Sequence, residues 1–300
     1  MLSIIVCSKY PVLPVTFLQN IDQTVGVDYE IVSIDNSENQ YSIFSAYNLG
    51  IARSQYPYLC LVHEDVYFHT QNWGVNLIEH LSIPNVGIIG LAGGNYTGRI
   101  PASWSAYEKS INLIQSDKQK KKHERIKVPL DFNKSRREVV LLDGVFLAAN
   151  KSLFDKINFD ETLPGFHGYD TDISIQSTLA GFINYVAYDF IVEHFSHGYE
   201  SKLYFENLIM IYKKWEKYLP LKGLNIGNKP KEFLVHLEEK RLRRLVHRLI
   251  VGGFSSDYIH AEVLHFTKLL NTPNAYTRLK ILKLQIFYTR LFRCPWCLIR

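Results

Sequence analysis

A chain of 300 residues and 34.8 kDa, 47% hydrophobic and 21% charged, has the composition of a folded globular protein, which excludes wholesale disorder. Its four cysteines, Cys7, Cys60, Cys294 and Cys297, are too few for a disulfide scaffold. The net charge of +5 is uneven: residues 229–300 carry 14 Lys+Arg against 5 Asp+Glu, and the remainder is net negative.

The opening Met1-Leu2-Ser3-Ile4-Ile5-Val6 lacks a basic leader and a small-residue cleavage site and reads as a strand. No uncharged apolar run reaches the roughly 18 residues of a membrane-spanning helix. The expected compartment is therefore the cytoplasm. The spacing predicts a strand over 3–7, a helix over 15–23, and a strand over 30–34 closed by the turn formers Asp35-Asn36-Ser37. A helix over 43–54, a buried strand over 58–62, a helix over 73–81 and a strand over 86–92 follow. Alternating strands and helices, the strands being continuous apolar runs, imply a mostly parallel α/β sheet covered on both faces.

Residues 95–138 break the rhythm. They are polar, with Lys118, Lys120, Lys121 and Lys122 as a basic cluster, and are expected to form a functional or mobile loop. Residues 139–149 are apolar again around Asp143-Gly144. Helices are predicted at 153–157 and 172–180, the latter stopped by Gly181. A strand at 183–192 and an amphipathic helix at 203–218, stopped by Pro220, complete the pattern. Gly223, Gly227 and Pro230 then mark a linker. Two regions are expected: an α/β domain over 1–220 and a basic helical region over 221–300, with helices at 232–251, 260–270 and 276–292. The basic helices must cover apolar faces, against the first domain or a second copy of the chain, with an anionic membrane surface as the weaker alternative.

Ligands of open parallel sheets bind at the carboxyl ends of the strands. Asp35 ends the second strand, His63-Glu64-Asp65 the third, and the 183–192 strand runs into Glu193-His194 and His197. Carboxylates and an imidazole suit a divalent cation such as Mn²⁺ or Mg²⁺, which would neutralise a diphosphate; a solvated turn is the plain alternative. Alternation puts His63 and Asp65 on one side and Glu64 on the other. Of Asp170 and Asp172, one is expected to cap the following helix and the other to act as a general base, Asp170 being the better base because it lies farther from the helix. His194 or His197 would supply a further metal ligand. Cys294-Pro295-Trp296-Cys297 has no second cysteine pair and reads as incidental thiols.

The ordered set Ser3-Ile4-Ile5-Val6, Asp35-Asn36-Ser37, Ala46-Tyr47-Asn48-Leu49-Gly50-Ile51-Ala52, Tyr58 through Asp65, Asp143-Gly144-Val145-Phe146-Leu147, Phe159-Asp160-Glu161, Tyr169-Asp170-Thr171-Asp172-Ile173 and Glu193-His194 resembles one family. It is similar to an inverting, family-2-type glycosyltransferase of the GT-A fold, close to the streptomycin-biosynthesis-like group, over roughly residues 1–220. The resemblance implies an α/β GT-A fold and transfer of a sugar from a nucleotide-diphosphate donor to a glycan or other hydroxyl acceptor, with inversion, in surface polysaccharide or glycoconjugate synthesis. It implies that Asp35 contacts the base and that Asn48 and Gly50 lie near the nucleotide, with Ser8, His63, Glu64, Asp143 and Gly144 in the donor-binding set. The family's Asp-x-Asp falls on His63-Glu64-Asp65, so Asp65 would hold the metal and a histidine replaces the first aspartate. Its Glu-Asp pair falls on Tyr169-Asp170, so Asp170 would be the catalytic base and a tyrosine replaces the glutamate. His194 would complete the metal site.

Two other readings compete. A sugar nucleotidyltransferase needs a glycine-rich basic loop after the first strand, where this chain has Ser8-Lys9-Tyr10-Pro11. An inactive carbohydrate-binding or scaffold protein would keep the fold and bind no metal. Nucleic acid is not an expected partner.

Overall fold

The structure is a computed structural model describing residues 1–117, 122–127, 135–196, 200–223, 226 and 229–270. His197, three of the four lysines of the 118–122 run, the helix expected at 276–292 and Cys294–Cys297 lie outside the described residues.

The strands are β1 (Leu2–Ser8), β2 (Tyr29–Asp35), β3 (Tyr58–Val62), β4 (Val66–Phe68), β5 (Val86–Gly90), β6 (Ala92–Gly94), β7 (Tyr96–Thr97), β8 (Lys109–Asp117), β9 (Lys122–Lys127), β10 (Arg136–Val139), β11 (Leu141–Leu142), β12 (Phe146–Asn150), β13 (Ile183–Ala187), β14 (Val192–His194) and β15 (Leu221–Lys222). The helices are α1 (Val15–Thr24), α2 (Ile43–Arg53), α3 (Trp73–Leu81), α4 (Tyr169–Leu179), α5 (Lys202–Trp215), α6 (Lys231–Val251) and α7 (Ser256–Leu270).

The main sheet has the order β10-β13-β5-β12-β3-β1-β2, in which β10 and β12 oppose the other strands. Alternate side chains of its central strands feed two cores. Ile4, Val6, Cys60 and Val62 meet Phe17 and Ile21 of α1 and Trp73 and Leu77 of α3. Ile5, Leu59 and Leu61 meet Phe44 and Tyr47 of α2 and Ile173 of α4 on the other face. This two-sided burial is why the strands read as unbroken apolar runs. Gly50 lets α2 settle on β1, since a Cβ there would lie 2.3 Å from Ile5 Cγ2.

A smaller sheet, β11-β6-β8-β14-β4 with β9 beside β8, adds Phe68, Ile111, Leu113 and Val192 to the first of these cores. It corrects the expectation of a loop over 95–138, because residues 109–117 and 122–127 form a hairpin. Part of the polar look comes from a buried, satisfied group: the Asn112 amide donates to the Ala187 and Phe190 carbonyls, while Ile111 and Leu113 join the apolar core.

Helices α6 and α7 pack on α5. Leu245, Val246, Leu249, Val263 and Phe266 meet Phe205, Leu208, Ile209 and Tyr212 in one cluster. A buried carboxylate fixes α6 to the segment after β7. Glu238 accepts from Tyr96 Oη at 2.8 Å, from the backbone N–H of Arg99 at 3.0 Å and of Ile100 at 2.9 Å, and pairs with the buried Arg241. Removing it strands two amides and a guanidinium. Glu238→Ala is therefore expected to cost about 3 kcal/mol or more, and Glu238→Gln distinctly less; urea unfolding would measure both, and an unchanged midpoint would refute this anchor. Among the described residues no helix is long and apolar enough to cross a membrane.

Candidate active site

β3 delivers His63-Glu64-Asp65 to the rim of the main sheet. β14 lies antiparallel to β4 with His194 opposite Val66, and Phe195 N donates to Asp65 O at 3.0 Å. That pairing brings His194 Nε2 to 3.4 Å from Asp65 Oδ1, while His63 Nδ1 lies 3.9 Å from the same oxygen. One ligand atom from each of the three side chains falls within 4.8 Å of the others. Glu64 points the other way, toward Lys9 N at 3.4 Å, as alternation requires.

Neighbouring groups decide which imidazole nitrogens are bare. The Gln115 amide nitrogen donates to the His194 and Ser196 carbonyls, so its oxygen can only accept, from His194 Nδ1 at 3.3 Å. With one proton, placed on Nδ1, the His194 ring would turn a bare Nε2 toward Asp65 and the Ser196 hydroxyl; with both nitrogens protonated it donates from Nε2 to Asp65 instead. His63 Nε2 bonds Tyr169 Oη at 2.9 Å and leaves Nδ1 toward Asp65. Desolvation pushes the pKa of His63 down, helped by the charge of His194, which favours its neutral form. Desolvation would raise that of Asp65, but the hydrogen bond and charge of His194 outweigh it and hold the carboxyl well below the usual range. With both rings in their singly protonated forms, two bare imidazole nitrogens and a carboxylate would converge on one point, a donor set that fits a divalent cation.

A cavity of about 260 Å³ joins this cluster to Asp170; its wall includes His63, His194, Trp104, Asp143 and Tyr204. Two glycines in the left-handed region, Gly165 and Gly168, turn the chain into α4. Asn207 of α5 holds that turn by donating to the Pro164 and His167 carbonyls. Desolvation, with the charge of Asp143 behind it, pushes the Asp170 carboxyl up to about 7. Backbone N–H groups at Thr171 and Gly144 oppose this, as does the N-terminus of α4 with up to about 1 kcal/mol, too little to prevail. Asp143 itself accepts from Trp104 Nε1 at 2.7 Å and from Val145 N at 3.1 Å.

The structure corrects the expected division of labour between the two aspartates. Neither caps α4 from outside: both lie in its first turn, and the cap residue is Gly168. Asp172 is buried and engaged by Lys214 Nζ at 2.9 Å, Trp215 Nε1 at 2.7 Å and Gln176 Nε2 at 2.7 Å. It ties α4 to α5, while Asp170 faces the cavity.

The remaining expected residues spread along the sheet. Ser8 is in register with Asp35 at the shared end of β1 and β2, and Asp35 accepts from Ser37 N at 2.9 Å. Asp143 and Gly144 line the cavity. Asn48 and Gly50 are not brought to it: Asn48 bonds Phe159 O and Glu161 Oε1, and Gly50 is buried against β1. Sequence reasoning missed Gln115 and Trp104. Both sit in the stretch read as a loop, and the alternation around Ile111 and Leu113 was the signal for the strand.

Residues 3–195 match a family described as glycosyltransferase-like. The chain is similar in structure to GalNAc-T7 with UDP, GalNAc and Mn²⁺, at 11% identity and a TM-score of 0.50, covering 80% of this chain and 54% of that one. TarS of S. aureus gives 11% identity, a TM-score of 0.47 and coverage of 91% and 50%; A197 from STIV gives 15%, 0.37, 65% and 86%. The chain thus spans about half the length of GalNAc-T7 and TarS. No curated protein matches it. The fold is of the GT-A type, and with a family match running from β1 to just past His194 the chain belongs to the glycosyltransferase-like family.

Proposed function

We propose that the protein is an inverting, metal-dependent glycosyltransferase of the family-2 type, close to the streptomycin-biosynthesis-like group. It would move a sugar from a nucleotide-diphosphate donor to a hydroxyl of a glycan or another acceptor, in surface polysaccharide or glycoconjugate synthesis. Residues 1–220 form the catalytic domain in this reading, and 221–300 a basic helical region whose helices α6 and α7 pack on α5. The observation that carries the proposal is that one cavity is lined by Asp170, whose carboxyl is raised to about 7, and by the two histidines that gather around Asp65.

In this reading Asp170 takes the proton from the acceptor hydroxyl, and the freed oxygen attacks the anomeric carbon opposite the nucleotide, inverting it. Asp65, His194 and His63 would hold the metal, which would supply positive charge for the departing diphosphate. Ser8, Asp35 and Glu64 line the rim on which the nucleotide would rest. Phe166, exposed beside Gly165, offers an apolar surface at the acceptor side of the cavity. The GalNAc-T7 structure, which holds UDP, GalNAc and Mn²⁺, accords with a nucleotide, a sugar and a metal on this fold.

Two imidazoles suit Mn²⁺ better than Mg²⁺, which prefers an all-oxygen shell. Mn²⁺ is therefore expected to bind at least about 10-fold more tightly than Mg²⁺. A panel of nucleotide sugars screened by thermal shift should contain one that stabilises the protein with Mn²⁺ and not with a chelator. At 100 times its dissociation constant that ligand adds about 2.7 kcal/mol. Equal stabilisation in chelator would sink the metal requirement.

A further inference from the structure

Two residues depart from the family's pattern, His63 in place of an aspartate and Tyr169 in place of a glutamate, and they touch. Tyr169 Oη lies 2.9 Å from His63 Nε2 and 2.9 Å from the Gly144 carbonyl oxygen. A phenol has one proton to give, and a carbonyl has none. The proton therefore goes to Gly144 O, and Oη must accept from His63 Nε2–H. With its single proton on Nε2, the neutral ring presents a bare Nδ1 to Asp65. The other tautomer would place an N–H there, satisfying the Asp65 carboxylate and blocking a cation.

The tyrosine hydroxyl is held where this requires. Its ring stands edge-on to Phe44 and Tyr47 and lies against Phe159. Gly144 leaves room for the hydroxyl, since a Cβ at that position would lie 2.2 Å from Oη. Gly144 thus supplies both the acceptor and the space.

We propose that Tyr169 is a positioning residue: its hydroxyl locks His63 in the Nε2–H tautomer and so makes His63 Nδ1 a ligand of the metal site. The ligand role rests on the metal-dependent reading above; the tautomer lock does not. Partners that orient a ligating histidine are worth about 10- to 100-fold in metal affinity.

The test is Tyr169→Phe, which keeps the ring and its packing and removes only the oxygen. Long-range ¹H–¹⁵N spectra of the imidazole side chains, recorded on metal-free protein, report the tautomer of His63 directly. The wild type should show the Nε2–H form, and Tyr169→Phe should lose it in favour of Nδ1–H or a mixture. Mn²⁺ affinity, measured by titration calorimetry, should fall by about 10- to 100-fold. Gly144→Ala, which displaces the hydroxyl without removing it, should move both readouts the same way. An unchanged His63 tautomer in Tyr169→Phe would overturn the lock. A lost lock with undiminished Mn²⁺ affinity would overturn the ligand role. Wild-type protein that shows the lock but binds no Mn²⁺ would overturn the metal reading and the ligand role with it, and support the lock alone.

Discussion

Replacing Asp170 with Asn is expected to lower sugar transfer by about 10²-fold or more while donor binding persists, because the amide keeps the shape of the side chain and cannot accept the acceptor's proton. Single-turnover transfer and donor titration separate the two. If Asp172→Asn abolished transfer and Asp170→Asn did not, the assignment would be wrong. The same carboxyl should govern the pH profile. With a pKa raised to about 7 by desolvation and Asp143, it is protonated below that pH, so the rate should climb as pH rises through 7 and then level off. Its effect on stability has the opposite sense. The folded carboxyl, near 7, binds a proton more tightly than the unfolded one, at 3.8. Between those values the folded state holds more protons, so this group's contribution declines as pH rises toward 7 and stays low above it. The full difference is about 4 kcal/mol, an upper bound because the cavity admits solvent. Asp170→Asn should therefore melt higher than the wild type at pH 8, an inactive protein that is also a more stable one.

Asp65→Ala is expected to abolish metal-dependent donor binding and to reduce transfer by about 10³-fold, with the fold intact. Asp65 is the hub: both His63 and His194 face its Oδ1, so its loss leaves two imidazoles with nothing anionic between them. His194→Ala should act in the same direction, and more weakly, since a carboxylate and an imidazole remain. Metal titration with and without donor would read the effect. Undiminished metal-dependent donor binding in both variants would sink the site.

Elements with a local apolar periodicity were legible. The runs at 3–7, 30–34 and 58–62 and the helical spacing at 15–23 and 73–81 lie within two residues of β1, β2, β3, α1 and α3 at either end. Strand-end reasoning also put Asp65, Asp143, Asp170 and His194 in one neighbourhood, and the cavity and its ligand cluster bring them together. Features set by distant partners were not legible. β8 was hidden because Asn112 is polar yet satisfied by carbonyls of residues 187 and 190. Asp172 could not be told from Asp170 without Lys214 and Trp215, which arrive from another helix. Asn48 stands in a familiar motif, but its amide is taken up by Phe159 and Glu161. The protonation of His63 depends on a hydroxyl at position 169 and a carbonyl at 144 that no local pattern links to it.

The antiparallel pairing of β14 with β4 has a consequence for the timing of biosynthesis. Position 66 leaves the ribosome long before position 194, and the helix that carries Asp170 comes between them. Until β14 docks, Asp65 has no histidine from the later strand beside it. The entropic cost of closing so long a loop grows only slowly with its length. On the proposed reading, a nascent chain therefore lacks the complete ligand set until residue 194 has emerged and the second sheet has closed.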